Sequence, residues 1–188
     1  MTNRFLISSF PLAGIAVAAA SSAYAVEYLT VEAAQRLMFP SASSFALERP
    51  KITPEQLRAI DASTHATSQA RQFLIFRAEA DQRAEHQLIG RMYVDEVIGK
   101  SELITYAVAV APDGAIRQVE VLAYRESHGY EVRDPRWRAQ FIGKRASSPV
   151  AVGDDIANIS GATLSSRHVT DGVRRILAVD ALIRGDRT

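Results

Sequence analysis

The chain has 188 residues, with 22 lysines and arginines against 21 aspartates and glutamates and a formal net charge of +1. That length suits one domain with a small appendage, and the even charge argues against a nucleic-acid binder, which would show a basic excess or stripe. There is no cysteine, which excludes disulfides, thiolate metal sites, cysteine-ligated iron–sulfur clusters and c-type haem attachment, so any redox role needs a cofactor held another way.

Residues 1–25 read as a secretory signal peptide. Arg4 supplies a positive start, Phe5 to Ala20 is apolar apart from Ser8, Ser9 and Pro11, and Ala23-Tyr24-Ala25 fits a small-x-small cleavage site. Cleavage is expected after Ala25, which places the mature chain in the periplasm or outside the cell. The competing reading, an uncleaved anchor, is short of the about 20 residues a membrane span needs.

Residues 26–70 read as a helical preface. Thr30 opens a short amphipathic run through Ala33, Ala34, Leu37 and Met38, which Phe39-Pro40 stops. Ser41 to Ser44 reads as a loop. Thr53-Pro54-Glu55-Gln56 is a helix start, with threonine as N-cap and proline at the first helical position. Leu57 and Ile60 are expected to face inward.

Residues 71–188 read as the main domain. Strands are expected at Gln72 to Glu79, Leu88 to Ile98, Glu102 to Val110 and Ala115 to Ala123. Met92, Val94 and Val97 are expected to share a face in the second. Pro112-Asp113-Gly114 is a turn between the third and fourth, so the sheet is at least partly antiparallel. Gly99-Lys100 reads as only a turn. Trp137 and Phe141, four apart after Asp134-Pro135, fall on one face of a short helix and read as packing residues. Strands followed by helices make an α+β domain, a partly antiparallel sheet with helices packed on it.

The chain ends in a helix whose Val169, Val173, Ile176, Leu177 and Ile183 recur at helical spacing. Before it stands Ile159-Ser160-Gly161-Ala162-Thr163-Leu164-Ser165-Ser166, dense in small and hydroxylated residues. Gly161 permits a close backbone approach at the turn. Unpaired N–H groups and the positive end of the helix dipole make this a seat for an anion such as phosphate, with Thr163 adding a hydroxyl. The plainer reading is that Ser160 or Thr163 is an N-cap.

Ser160-Gly161-Ala162-Thr163 followed by Leu164-Ser165-Ser166 resembles the signature of the FMN-binding domain family. Its members include the flavin-bearing components of the sodium-translocating NADH:quinone reductase and of the Rnf complex, and single-domain secreted flavoproteins. A second resemblance lies in residues 124–144, where Glu126, Gly129, Trp137, Phe141, Gly143 and Lys144 match the family pattern. The resemblance implies FMN as cofactor, esterified through its phosphate to Thr163 by a separate Mg-dependent flavin transferase that uses FAD. It implies that Ser160, Gly161, Ala162, Leu164 and Ser165 surround the attachment, and that Glu126, Ser127, His128 and Gly129 lie near the flavin ring. Lys144 or Arg145 could reach the phosphate or ribityl chain, or form an ordinary solvated pair. Many relatives have Thr-Pro where this chain has Ser127-His128. One departure is Ala157, where the attachment motif usually carries an aspartate.

The histidines show no zinc spacing, and there is no nucleophile elbow, P-loop or dinucleotide fingerprint. No catalytic residue or metal ligand is assigned. The expected role is electron transport through FMN with membrane or periplasmic redox partners. Two alternatives are a flavin-dependent reductase of a small molecule or metal complex, and a non-redox binding module of the same fold.

Overall fold

A computed structural model describes residues 26–66, 74–82, 85–126 and 129–186. The expected signal peptide, the start of the strand expected from Gln72, and Ser127 and His128 lie outside the described residues.

In chain order the elements are β1 (Val26–Glu27), α1 (Val31–Met38), β2 (Ser44–Glu48), α2 (Pro54–Thr64), β3 (Leu74–Gln82), β4 (Glu85–Ile98), β5 (Leu103–Val110), β6 (Ile116–Tyr124), α3 (Pro135–Arg138) and α4 (Thr163–Arg184). The strands form a six-stranded sheet in the order β1-β6-β5-β4-β3-β2. Every strand pairing within it is antiparallel. The fold is α+β.

Sheet position follows from residue pattern. Leu103–Val110 is apolar at almost every position, which suits a strand covered on both faces. Ile104, Tyr106, Val108 and Val110 join the core under α4. Ala107 and Ala109 join the opposite core under α1, with Ala34, Met38 and Phe39. Strict alternation separates the β4 residues as well: Met92 and Val94 face α1, whereas Tyr93 and Val97 face α4. Val97 therefore lies on the opposite side from the one expected, because an odd separation reverses the side of the pleat.

The turn at Pro112-Asp113-Gly114 closes the β5–β6 hairpin, with the Ala111 amide donating to the Ala115 carbonyl over 2.8 Å. Thr53 caps α2 in a reciprocal box with Gln56, and Thr30 caps α1.

The segment read as a helical preface also supplies both edge strands. β1 pairs with β6 and β2 with β3. A pair of residues carries no periodicity, and β2 begins inside a serine-rich stretch that reads as a loop, so neither strand is visible locally. α2 reaches the back of α4, where Arg175 Nε meets Asp61 Oδ1 at 2.5 Å.

α4 lies along the sheet with Val169, Val173, Ile176 and Leu177 buried against it. The hydroxyl of Tyr93 donates to Asp180 Oδ1 over 2.7 Å, and that of Tyr106 to Asp95 Oδ2 over 3.1 Å. Asp180 also receives Arg184 Nε at 2.7 Å, one turn along the helix. Burial first, then the adjacent carboxylates, push both phenols well above their ordinary range. They therefore serve as neutral donors. The Tyr93–Asp180 pair fixes the register of helix on sheet and the Tyr106–Asp95 pair that of β5 on β4, since a buried carboxylate without donors is costly.

Candidate functional site

The start of α4 faces the end of the sheet where β4 turns into β5 and where β6 ends. A cavity of about 370 Å³ opens between them, lined by Lys100, Ser101, Glu126, Gly161, Ala162, Thr163, Leu164 and Ser165. Five consecutive residues of the small-residue motif thus share one cavity with a carboxylate from the second matched stretch.

The N-cap position of α4 is Ala162, and no side chain caps the helix. The plain capping reading of Ser160 and Thr163 is therefore not what the fold does. Thr163 is the first helical residue and is exposed. Gly161 turns the chain with φ +82°, and no protein atom lies within 4 Å of where a Cβ would be. Its glycine answers a backbone conformation, not a crowded contact within the chain.

Asn158 holds the motif from below. Its Nδ2 donates to Thr163 Oγ1 over 3.3 Å, while its Oδ1 accepts from Ser166 Oγ over 3.1 Å. Thr163 Oγ1 is thus an acceptor toward Asn158 and keeps its own hydrogen for another partner.

Glu126 crosses to the β4–β5 turn. Its Oε1 accepts from the amides of Ser101 at 2.5 Å and Glu102 at 2.8 Å, and its Oε2 from the Ser101 hydroxyl at 3.3 Å. Burial would raise its pKa. The turn amides of Glu102, Ser101 and Lys100, with the Ser101 hydroxyl, outweigh that and hold the carboxyl below its ordinary value. From the other side, His168 on α4 places Nδ1 at 2.5 Å from the Ile98 carbonyl and 3.0 Å from that of Gly99. Both partners are acceptors, so Nδ1 carries the hydrogen.

Gly129 has φ +89°, and a Cβ there would meet the Tyr124 hydroxyl at 2.7 Å and Ala162 Cβ at 3.0 Å. Here glycine is required twice, by conformation and by space. Tyr124 Oη in turn lies 3.5 Å from Ser165 Oγ.

The remaining expected site residues fall as follows. Ser160 is exposed in the turn just before the cavity wall and does not line it. Lys144 does not line it either. Its Nζ pairs with Asp155 Oδ2 at 2.6 Å, and Asp155 also accepts the amides of Ala151 at 2.8 Å and Val150 at 3.2 Å. Burial raises the Asp155 pKa less than Lys144 and those amides lower it, so the group stays below its usual value. This clasp holds Val150 at φ +44°, a conformation rare for a β-branched residue.

Trp137 and Phe141 pack edge to face, 5.2 Å apart, in the expected packing role. Trp137 Nε1 donates to the Ala157 carbonyl over 2.8 Å, and the Ala157 amide donates to Gln140 Oε1 over 2.8 Å. The second matched stretch is thus largely scaffold: its tryptophan and glutamine grip the backbone that leads into the first, and its lysine pairs with the Asp155 carboxylate there. Lys100, Ser101, Asn158 and His168 escape sequence reading. Only Gly99-Lys100 leaves a trace there, as a turn signal, and a turn does not say what it faces.

A family model described as an FMN-binding domain matches residues 99–178. No curated protein matches the chain. The matched stretch runs from the turn on one wall of the cavity to beyond the helix start on the other. The residues fit such a group. The cavity falls in the range of about 300–1,000 Å³ usual for small-molecule sites. Its lining joins apolar Ala162 and Leu164 to hydroxyls and one ammonium, as a flat ring joined to a phosphate requires.

Proposed function

Because residues 99–178 match the model of the FMN-binding domain family, we propose that this is an exported electron-carrying flavoprotein whose FMN is joined through its phosphate to Thr163. The observation that carries this reading is the placement of Thr163. It is exposed on the cavity wall, it heads an uncapped helix, and its oxygen is oriented by Asn158. A transferase can reach such a hydroxyl. Attachment would form the Thr163 O–P bond while the pyrophosphate bond of FAD breaks and AMP leaves, with the hydroxyl proton passing to a base of the transferase.

FMN supplies one- and two-electron chemistry when bound. The chain's part is to hold it. The amides of the first turn of α4 and the dipole of that helix favour the phosphate, and Leu164 and Ala162 offer apolar contact. Carriage is favoured over substrate turnover because Glu126, the one carboxylate among the described lining residues, is committed to the turn and held ionised. Among those residues no carboxylate is left to move a proton at a substrate. A covalent tether would keep the flavin after export, which accords with residues 1–25 reading as a signal peptide. Membrane or periplasmic proteins would then be the redox partners.

Intact mass of the chain from its native host, beside Thr163→Ala, tests the proposal. The expected result is one FMN less one water, absent from the variant. An unmodified yellow chain would replace the covalent carrier by a dissociable-flavin protein. An unmodified, colourless chain from a host that makes the transferase would overturn the flavoprotein reading.

A further inference from the structure

We infer that Lys100 recognises the flavin phosphate and that Glu126 is its positioning residue, an inference that rests on the FMN reading above. The cations expected near the phosphate are engaged elsewhere. Lys144 pairs with Asp155 at 2.6 Å, and Arg145 Nη2 pairs with Asp113 Oδ2 at 2.6 Å. Lys100 is the one cationic side chain among the described residues lining the cavity. It is exposed, and no ion pair to it is found among the described residues. Thr163 and Ser165 line the same cavity. An ammonium and the Thr163 hydroxyl in one cavity would bracket a phosphate at Thr163.

Glu126, which also lines the cavity, would be expected to claim that ammonium. Its oxygens instead point into the turn, toward the amides of Ser101 and Glu102 and the Ser101 hydroxyl. Those bonds fix the turn that carries Lys100. The turn has room for this only because residue 99 is glycine: a Cβ there would lie 2.7 Å from Glu126 Oε1. His168 grips the carbonyls of Ile98 and Gly99 from α4. Lys100 therefore stands on a turn tied both to the end of β6 and to the helix that bears Thr163. The backbone that carries the amine is thus set by protein contacts before any ligand arrives, which lowers the ordering cost of binding.

The test uses the full chain made without a flavin transferase, titrated with FMN and with riboflavin, which lacks the phosphate. The wild type is expected to bind FMN more tightly than riboflavin. Lys100→Met should weaken FMN binding about tenfold or more, the effect of losing one charge-assisted hydrogen bond, and leave riboflavin unchanged. Lys100→Arg should retain most of the FMN preference. Glu126→Gln should lower that preference part of the way, a split between ligands that a general loss of folding would not give. If Lys100→Met leaves the FMN-to-riboflavin ratio unchanged, or weakens both ligands equally, the phosphate role is overturned while the FMN reading stands. If the wild type binds neither ligand, both fall together.

Discussion

The two stretches of α4 show opposite solutions to the same chemistry. Along its middle, polar groups find protein partners. Asp180 takes Tyr93 and Arg184, and Gly172 lets the Tyr106 hydroxyl come close. At its beginning, Ala162 stands where a capping hydroxyl or carboxylate would be usual, and Thr163 and Leu164 are exposed. The middle is built for fixed register and the beginning leaves donors to something outside the chain. That contrast, more than any single residue, marks where the ligand belongs.

The largest effect is expected at the helix middle. A Cβ at Gly172 would lie 2.1 Å from the Tyr106 hydroxyl, which Asp95 holds. Gly172→Ala should therefore cost about 3 kcal/mol in chemical denaturation, as overpacking of a rigid core does. A neutral result would mean that the helix is free to shift on the sheet, and the contrast between its two stretches would fail.

Tyr93→Phe comes next. It removes one donor from buried Asp180 but leaves Arg184 in place. A loss of about 1–2 kcal/mol is expected from the same measurement. Stabilisation instead would show that the buried pair sets register while weakening the fold.

At the open end, Gly161→Ala should cost only about 1 kcal/mol, the penalty of a left-handed conformation with no clash behind it. A loss as large as that at Gly172 would mean the turn is packed, not open.

The smallest effect is pH-dependent. Glu126 and Asp155 both titrate below their ordinary values of 4.5 and 3.8. The folded form then binds fewer protons than the unfolded chain, so their stabilisation is in place above pH 4.5 and drains away as pH falls through the lowered values. Glu126→Gln should flatten the acid limb of a thermal-stability profile. An unchanged limb would show that the turn does not depend on the charge.

Much of this is legible in the residues themselves. The apolar spacing from Val169 to Leu177 marks α4 and its buried face, and Thr53 with Pro54 marks the start of α2. The pairing of the motif at Thr163 with Glu126 also has a spatial counterpart, since both line one cavity. Other features depend on partners far away in sequence. β2 is a strand because β3 offers it an edge, and Lys144 is a clasp because Asp155 lies opposite. Nothing in the residues near Lys100 announces that its turn faces the start of α4.

Local preferences are enough to say where most helices and strands fall and which stretch carries the ligand chemistry, because backbone periodicity, capping and turn preference act over a few residues. Which charges are free and which are engaged is a matter of the folded chain alone. Salt bridges and carboxylate–amide bonds join residues tens of positions apart, such as Glu126 with Ser101. Their choice is made by strand order and by the seating of one helix on the sheet.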